Sequence, residues 1–534
     1  MSDAVVLPKV KVIQTKEYGD FQTPYSLADK ICKLIKESKY EPTILLEPSC
    51  GKGNFIVSAL KTFPSLRIII AIEIQETYKE EFFTNLAENC ISLENKKLIF
   101  ITKSFFDIDF TILFKKYRIT IQNHKVLIVG NPPWITNSFL GSINSFNVPI
   151  KSNSKVKLKG LDALTGKSNF DIAETIIVKL LDYFADKDYL LGMVCKTTTL
   201  YNILKNSKIN FNGRDLSSYL FNAKKEFGIS ATSNVFISKK ITEFEYKETI
   251  CSSFSLDEYF KKLYSFGFQN GFFVSNLDSY EKYSNLEGKF CYEWRQGIKH
   301  DAGSVLVLEK VGDKHFKNKI NDCVELEEEI VYPFLKSSDI KKPIIQDSRF
   351  WILVTQKKIG EKNTEYLKEL PKTWNYLQSK KDYFKKRKSR IYANQSEFSM
   401  FGIGNYSFKP YKVVVSGFYK KLCFSLVLPA QGKPIMVDDT CYSLSFETLE
   451  EAVFIWIMLN LQVTTKFFTA ITFLDNKRPF KKDILQRLNL VSLIEIVSDA
   501  EFKSLWNKLD KKSINIQFKD VSNYKNIFTS LKKS

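Results

Sequence analysis

The sequence predicts an α/β fold: a mostly parallel, doubly wound sheet in the first half of the chain, followed by a mixed α+β region that becomes helical towards its end. Two observations support this prediction. Between about residues 40 and 240, short apolar runs alternate with amphipathic stretches, which is typical of strands separated by helices. Beyond about residue 245 this alternation is lost, and Tyr, Phe and Lys interleave with turn-forming Gly and Ser.

The first half contains six apolar runs of strand length. They are Thr43–Leu46, Ile68–Ile72, Leu98–Ile101, Lys125–Val129, Leu190–Val194 and Val235–Ile237. The helical patterns near them are Tyr25–Lys36, Phe55–Thr62, Gln75–Ala87 and Ile172–Ala185; later ones are Leu449–Thr472 and Lys481–Leu488. Ligands of doubly wound sheets bind at the carboxyl ends of the strands, so the residues that follow each run are the first candidates for a site.

Length and charge indicate more than one domain and a polyanionic partner. The chain has 534 residues, which is long for one hydrophobic core, and the change of pattern predicts domains at 1–245 and 246–534. The formal net charge is +20, from 79 basic and 59 acidic residues. Such a charge attracts nucleic acid first and an anionic membrane surface second. A merely solvated basic surface is the alternative.

Several classes of protein are disfavoured. The most apolar stretches, such as Ala452–Leu459, are far shorter than the ~20 residues that span a bilayer, and Met1–Lys11 lacks a secretory apolar run. Nine cysteines occur without a Cys-x-x-Cys pair, and there are only three histidines. We therefore expect free thiols in the cytoplasm, no metal site, no disulfide framework and no membrane partner. Few histidines also disfavour a Ser-His-Asp hydrolase.

The most specific motif is Asn131-Pro132-Pro133-Trp134, which follows a predicted strand and Gly130. The exocyclic amine of adenine is a poor nucleophile because its lone pair is delocalised into the ring. The side-chain oxygen of Asn131 and the carbonyl of Pro132 can accept hydrogen bonds from both amine hydrogens and keep that lone pair available. Pro132 has no N–H to compete, and the two prolines restrict the backbone. The Trp134 ring offers a face for a flipped-out base.

Asn-Pro-Pro-aromatic after a strand resembles the catalytic motif of amino-methyltransferases that act on adenine in DNA, and on some RNA and protein amides. Tyr or Phe is the usual aromatic residue, and Trp is a less common variant. The resemblance implies a Rossmann-like class I methyltransferase domain with S-adenosylmethionine as cofactor. It also implies that Asn131, Pro132, Pro133 and Trp134 are catalytic and that Asn131 lies beside the cofactor.

Upstream motifs are similar to the family's cofactor segments. The run Glu47-Pro48-Ser49-Cys50-Gly51-Lys52-Gly53-Asn54-Phe55 follows the first strand; its glycines allow close approach of the backbone to a nucleoside, and Glu47 can meet the cationic end of the cofactor. The implied contacts in this run are Glu47, Pro48, Ser49, Gly51, Gly53 and Phe55. Before it, Gln22-Thr23-Pro24 resembles the segment that closes over the methionine moiety.

Two further acids are candidates for contacts with the nucleoside end of the cofactor. At one position in this region the chain departs from the pattern that is usual in the family. Glu73 ends the second strand, where an acid can accept both ribose hydroxyls; an ordinary strand-end acid is the alternative. After the third strand the family usually has Asp-Phe, whereas this chain has Ser104 and Phe105. Asp107 replaces the missing acid only if the loop bends back.

Two downstream segments resemble later motifs of the family. Asn169 opens a helix near the expected cofactor and target pocket, and a plain N-cap is the alternative. Phe227 precedes the last predicted strand and is the candidate for stacking on the target base opposite Trp134, with a core phenylalanine as the alternative.

The order of these motifs resembles the γ class of adenine-N6 DNA methyltransferases, in which target recognition follows catalysis. This implies double-stranded DNA as partner, a recognition domain at 246–534 and a separate cognate restriction endonuclease as a functional neighbour. The chain is expected to act as a monomer. Glu245-Tyr246-Lys247 and Glu287-Gly288-Lys289 match half of a nuclease motif, but we expect no cleavage. Methylation of RNA or of a protein glutamine, and a DNA-binding subunit with a degenerate active site, are the alternative functions.

The candidate DNA contact within the second half is a basic run with interleaved aromatics at 380–390. Basic side chains neutralise phosphates and supply much of the affinity for DNA. A solvated charged face is the alternative. The predicted DNA-binding residues are Lys380, Lys381, Lys385, Lys386, Arg387, Lys388 and Arg390. Further on, Phe401-Gly402-Ile403-Gly404 precedes a predicted strand at Val413–Ser416 and is similar to stretches in recognition domains of such enzymes.

Overall fold

The computed structural model describes residues 21–135, 171–241, 248–258, 260–361, 363–509 and 514–531. The chain divides into two compact units, Met1–Leu277 and Asp278–Ser534.

The first unit contains one large sheet. Its strands, in chain order, are β1 (Ile44–Glu47), β2 (Ile68–Glu73), β3 (Lys97–Thr102), β4 (Val126–Gly130), β5 (Tyr189–Lys196), β6 (Arg214–Asn222), β7 (Thr232–Lys240), β8 (Ile250–Ser255), β9 (Lys262–Gln269) and β10 (Phe272–Val274). They pair in the order β3-β2-β1-β4-β5-β7-β6-β8-β9-β10. The helices are α1 (Tyr25–Glu37), α2 (Asn54–Thr62), α3 (Thr77–Glu88), α4 (Phe110–Lys116), α5 (Ile172–Tyr183), α6 (Thr197–Lys205) and α7 (Ala223–Phe227).

The strands β1 to β5 form a parallel core, which positions the site. Strand β1 pairs in parallel with β2 on one side and with β4 on the other. Every residue of β1 and of β4 is buried, as expected for strands whose two faces are covered by helices. The strand order reverses between β1 and β4, and ligands of doubly wound sheets bind at such a switch point. In the register, Leu46 pairs with Ile128, so the chain leaves both strands at the same edge.

The predicted parallel core is confirmed, and the first sheet continues beyond the predicted domain boundary at 245. All six predicted strands and the four predicted helices around them are present. However, β8, β9 and β10 extend the first sheet, and the first unit therefore ends at Leu277. Strands β8 and β9, like β6, mix polar with apolar residues, and β10 has only three residues. Their half-buried pattern resembles a loop in the sequence more than a buried parallel strand.

The second unit has two smaller sheets. Its strands are β11 (Arg295–Gln296), β12 (Val307–Lys310), β13 (His315–Asn318), β14 (Cys323–Glu325), β15 (Val331–Leu335), β16 (Ile344–Ile345), β17 (Phe350–Leu353), β18 (Tyr411–Ser416), β19 (Phe424–Val427), β20 (Met436–Val437) and β21 (Cys441–Phe446). One sheet has the order β11-β21-β18-β19-β16 and the other β14-β13-β12-β17-β15-β20. The predicted mixed α+β character of this region is confirmed.

Helices dominate the end of the second unit. The helices after α7 are α8 (Leu277–Glu281), α9 (Gly303–Leu306), α10 (Thr364–Lys368), α11 (Pro371–Ser379), α12 (Lys381–Lys385), α13 (Leu449–Leu459), α14 (Gln462–Ile471), α15 (Lys482–Leu485), α16 (Leu490–Ile496), α17 (Asp499–Asn507) and α18 (Phe518–Leu531). In the described ranges, no single helix has the length and apolar character to cross a membrane, although α13 and α14, bent by 62°, meet that criterion as a pair. Helix α13 is buried against β18 and β19.

Candidate functional site

A cleft opens at the carboxyl ends of β1 to β4. It encloses about 980 Å³, counting the part that is open to solvent, which is within the range of small-molecule sites. Predicted cofactor residues make up much of its wall. Those that line it are Gln22, Thr23, Glu47, Pro48, Ser49, Gly51, Glu73, Ser104, Phe105 and Asn131.

The loop after β1 is shaped by its glycines. Gly51 has φ +47° and Gly53 has φ +79°, conformations that favour glycine. A Cβ atom at Gly51 would lie 2.4 Å from the side-chain oxygen of Gln22, and one at Gly53 would lie 2.5 Å from the ring of Phe82. At Gly53 the Phe82 ring leaves no room for a side chain, whereas at Gly51, where the Gln22 side chain could move, it is the positive φ that favours glycine. Phe55, which was predicted to contact the cofactor, is instead buried in the core beneath the loop.

The segment before α1 is tied to this loop. The backbone N–H of Lys52 donates to Gln22 Oε1 at 3.2 Å, and Asn54 Nδ2 donates to the carbonyl of Thr23 at 2.8 Å. Pro24 is the N-cap of α1. Gln22 and Thr23, which form a separate motif before the glycine loop in the sequence, are therefore in direct contact with that loop.

Two buried carboxyl groups face the cleft. Glu47 is 2% exposed and Glu73 is 5% exposed. Glu73 accepts hydrogen bonds from the backbone N–H of Gly51 and of Gln75, both at 2.9 Å. Glu47 Oε2 has no hydrogen-bond partner among the described residues. Burial, with a smaller contribution from the charge of Glu73, holds the pKa of Glu47 well above its usual range. A cationic ligand would relieve this unfavourable burial of negative charge.

Asn131 presents an acceptor atom at the same edge. Its Nδ2 donates to the carbonyl of Phe21 at 3.0 Å, and because a carbonyl only accepts, this bond fixes the orientation of the amide. The opposite atom, Oδ1, is buried and has no hydrogen-bond donor among the described residues. Such an acceptor is costly to bury unless a ligand supplies a donor. The side chain is thus prepared to accept a hydrogen bond from a molecule in the cleft.

Two aromatic rings, Phe21 and Phe227, pack against Trp134, the last residue of the tetrapeptide. Trp134 is 7% exposed, and its ring centroid lies 5.3 Å from that of Phe227 in an edge-to-face contact. Phe21 lies 6.0 Å from Trp134 and 6.3 Å from Phe227. Trp134 and Phe227, which were predicted to stack on opposite faces of the target base, contact each other directly. A base can stack between them only after the two rings separate.

The loop after β3 places Ser104 and Phe105, but not Asp107, at the cleft. Ser104 Oγ accepts from the backbone N–H of Phe106 at 3.3 Å and caps a short 3₁₀ turn, Phe105–Asp107. Asp107 is exposed and does not line the cleft, so the prediction that it contacts the cofactor is not supported. Lys179 of α5 donates to the carbonyls of Phe105, Phe106 and Ile108 and holds this loop, a role that was not predicted.

The helix start near the tetrapeptide is capped by Asp171. Its Oδ1 accepts from the backbone N–H of Ala173 at 3.1 Å. Asn169, the residue predicted for this place, lies outside the described residues. The other carboxylate oxygen of Asp171 pairs with Lys196 Nζ at 3.0 Å. Lys196 also donates to the carbonyl of Trp134 at 3.1 Å. These two residues were missed because an N-cap and a strand-end lysine have no distinctive sequence pattern.

The basic run in the second unit is partly occupied by internal contacts. Lys380 pairs with Asp322 at 2.8 Å and Lys381 with Glu397 at 2.9 Å. Arg387 donates to the carbonyls of Phe384, Glu397 and Ser399, so its guanidinium supports the fold and is not free for DNA. Lys385, Lys386 and Lys388 are exposed. The side chain of Arg390 lies outside the described residues.

No metal-binding arrangement is present in the described ranges, where no group of three or more His, Cys, Asp or Glu residues is suitably placed.

Comparisons with known proteins give a close relative by sequence and, among solved structures, a similar fold. The type II methyltransferase M.NspV of Nostoc sp. is 37% identical over 486 residues, which are 90% of this chain and 98% of the relative. Among solved structures, the type IIL restriction-modification enzyme MmeI, solved in complex with DNA, matches with a TM-score of 0.50 and 11% identity over 98% of this chain and 76% of that chain. This second likeness concerns the fold alone. No family model matches the chain.

Proposed function

The chain belongs to the type II methyltransferases, and we propose that it methylates the exocyclic N6 of adenine in double-stranded DNA, as the modification enzyme of a restriction-modification system. The observation that supports this proposal most strongly is the buried Oδ1 of Asn131, which has no hydrogen-bond donor among the described residues, at the wall of a cleft that also contains two buried carboxyl groups. Amine methylation requires a hydrogen-bond acceptor for the target amine beside a binding site for a cationic methyl donor.

The cofactor of this family is S-adenosylmethionine, and the cleft residues fit it. When bound, it supplies an electrophilic methyl group on a cationic sulfur. Glu47, whose Oε2 has no hydrogen-bond partner in the described part of the chain, would bind the cationic end, with Gln22 and Thr23 beside it. Glu73 would accept the ribose hydroxyls, since each carboxylate oxygen has lone pairs beyond those used by the backbone. Ser104 and Phe105 would contact the nucleoside base.

Asn131 acts on the target amine. Its Oδ1 accepts one amine hydrogen and the carbonyl of Pro132 accepts the other, which keeps the nitrogen pyramidal and its lone pair available for attack. These hydrogen bonds strengthen as positive charge develops on the nitrogen, so they stabilise the transition state more than the ground state. The remaining contribution is positioning. The adenine reaches the site by leaving the base stack.

The second unit, Asp278–Ser534, serves as the target-recognition domain in this proposal. The proposed enzyme acts as a monomer in the cytoplasm, without a metal ion or a membrane, beside a separate cognate restriction endonuclease.

The class of molecule that accepts the methyl group distinguishes the proposed function from its alternatives. Purified protein is incubated with methyl-labelled S-adenosylmethionine and, separately, with unmethylated duplex DNA, total RNA and a protein extract. We expect label in DNA alone. Label in RNA or protein supports the other acceptors of the same motif, whereas cofactor binding without transfer to any acceptor supports a DNA-binding subunit with a degenerate site.

Replacing Trp134 by alanine is expected to weaken capture of the flipped base. Stacking on an aromatic ring is worth about 1–3 kcal/mol per base, so the captured fraction should fall about tenfold. The target position is first identified from methylated host DNA, and 2-aminopurine is placed there. The increase in fluorescence on binding should then be smaller for Trp134→Ala than for the wild type. Trp134→Phe keeps a stacking face and is the matched control. A wild-type signal from Trp134→Ala contradicts the assigned role.

Neutralising the three exposed lysines of the basic run is expected to reduce the salt dependence of DNA binding. In the variant with Lys385, Lys386 and Lys388 changed to Gln, the slope of log K against log salt should become shallower by about 0.9 for each phosphate that the protein no longer neutralises. Lys380→Gln is the control, because Lys380 is paired with Asp322 and should leave the slope unchanged. An unaltered slope in the triple variant means that these lysines face solvent.

A further inference from the structure

A charged pair lies directly behind the catalytic tetrapeptide. Lys196, at the end of β5, donates from Nζ to the carbonyl of Trp134 at 3.1 Å and to Asp171 Oδ2 at 3.0 Å. The side chains are 27% and 11% exposed, so the pair is largely shielded from solvent. Lys196 is therefore a direct connection from the sheet to the last residue of the tetrapeptide.

Asp171 joins two helix starts to this connection. Its Oδ1 caps α5 through the N–H of Ala173, while Oδ2 accepts from Lys196 and, at 3.3 Å, from the hydroxyl of Thr199 in α6. The backbone N–H of Ile172 donates to the carbonyl of Ile135 at 2.9 Å. Trp134, the last residue of the tetrapeptide, and Ile135, which follows it, are thus held by hydrogen bonds from β5 and α5 respectively.

We propose that Lys196 and Asp171 are positioning residues for methyl transfer: Lys196 holds the Trp134 peptide, and Asp171 holds Lys196 and balances its charge. This proposal rests on the proposed function of the tetrapeptide. A displacement of about 1 Å at a reacting group can lower a rate about 100-fold, so the position of the Trp134 peptide, in the same tetrapeptide as Asn131 and Pro132, matters for turnover.

The charge balance has a separate consequence. The amine nitrogen becomes positively charged as it is methylated, and a positive charge nearby opposes this change. With Asp171 present, the ammonium of Lys196 is neutralised. If the carboxylate is removed while Lys196 remains, an unbalanced positive charge stays bonded to the tetrapeptide. Loss of Asp171 alone is therefore expected to be worse than loss of both charges.

The test uses four variants of the full chain. Lys196→Met keeps most of the side-chain volume but loses the charge, and Lys196→Arg keeps a donor. Asp171→Asn removes the charge and retains an oxygen that can cap α5, because Asn is as good an N-cap as Asp. The double variant combines Lys196→Met with Asp171→Asn. For each, kcat and KM for S-adenosylmethionine are measured on unmethylated duplex DNA, together with Tm.

We expect Lys196→Met to lower kcat by about 10- to 100-fold with little change in KM for the cofactor. Lys196→Arg should keep most of the wild-type kcat. Asp171→Asn should lower kcat more than the double variant does. Wild-type kcat in Lys196→Met overturns the proposal, as do losses that are additive and parallel the loss of Tm. A wild-type protein that transfers no methyl group to DNA overturns the proposed function instead, so the two failures are distinguishable.

Discussion

Replacing Asn131 by alanine is expected to lower methyl transfer to DNA by about 100- to 1,000-fold, which is the effect of removing one transition-state hydrogen-bonding group in a shielded site. Asn131 Oδ1 is buried without a donor among the described residues, and Nδ2 is already used by the carbonyl of Phe21. The amide is therefore held with its acceptor available. Single-turnover rates with saturating cofactor and DNA measure the loss, because they isolate the chemical step from product release.

Binding measurements complete this prediction. The affinity for DNA and for S-adenosylhomocysteine should stay within about threefold of wild type, since the interaction is made mainly in the transition state. Asn131→Asp is the comparison variant: it retains acceptor oxygens but loses the donor to the Phe21 carbonyl, so its activity should lie between those of Asn131→Ala and the wild type. If binding and turnover fell in parallel, or if the two variants were equally inactive with lowered Tm, the side chain would have a structural role only.

Replacing Glu47 by glutamine is expected to have opposite effects on cofactor affinity and on stability. A hydrogen bond to a charged group contributes about 1.5–3 kcal/mol, so the Kd for S-adenosylmethionine should rise about 10- to 100-fold. In the cofactor-free protein the same change should raise Tm. Because burial holds the pKa of Glu47 well above its value in the unfolded chain, its ionisation destabilises the fold as pH rises through the folded-state pKa.

The pH dependence of cofactor affinity and of Tm is the second part of this prediction. A cationic ligand favours the carboxylate, so wild-type affinity should increase with pH up to the pKa of Glu47 in the free enzyme and then level off. Glu47→Gln should lack this dependence, and its gain in Tm should shrink at lower pH. Calorimetry and thermal denaturation between pH 5 and 9 measure both effects. Glu88→Gln, at an exposed site on α3, is the control. Tight, pH-dependent binding by Glu47→Gln contradicts the assignment.

The sequence was sufficient to predict the edge of the sheet that forms the cleft. Buried parallel strands appear as continuous apolar runs, and motifs that follow such runs must meet at the carboxyl ends. Glu47 after β1 and Asn131 after β4 therefore lie on one cleft, as predicted. Glycines that need positive φ, such as Gly51 and Gly53, are also recognisable because few other residues adopt that conformation.

Contacts between distant side chains could not be predicted in the same way. The edge-to-face contact of Trp134 with Phe227 depends on packing that follows no sequence period. The internal hydrogen bonds of Arg387 are equally invisible in a run of basic residues, where every side chain appears suited to phosphate. Strands β8 to β10 were missed because β8 and β9 mix polar and apolar residues and β10 has only three residues.

The identity of the methylated base tests the central claim most directly. Unmethylated plasmid DNA is incubated with the protein and methyl-labelled S-adenosylmethionine, digested to nucleosides and separated by chromatography with mass detection. We expect the label in N6-methyldeoxyadenosine, and its absence with the Asn131→Ala variant. Label in a methylated cytosine, or label in adenine that persists in Asn131→Ala, would contradict the assignment of Asn131 as the acceptor that prepares adenine N6 for methylation.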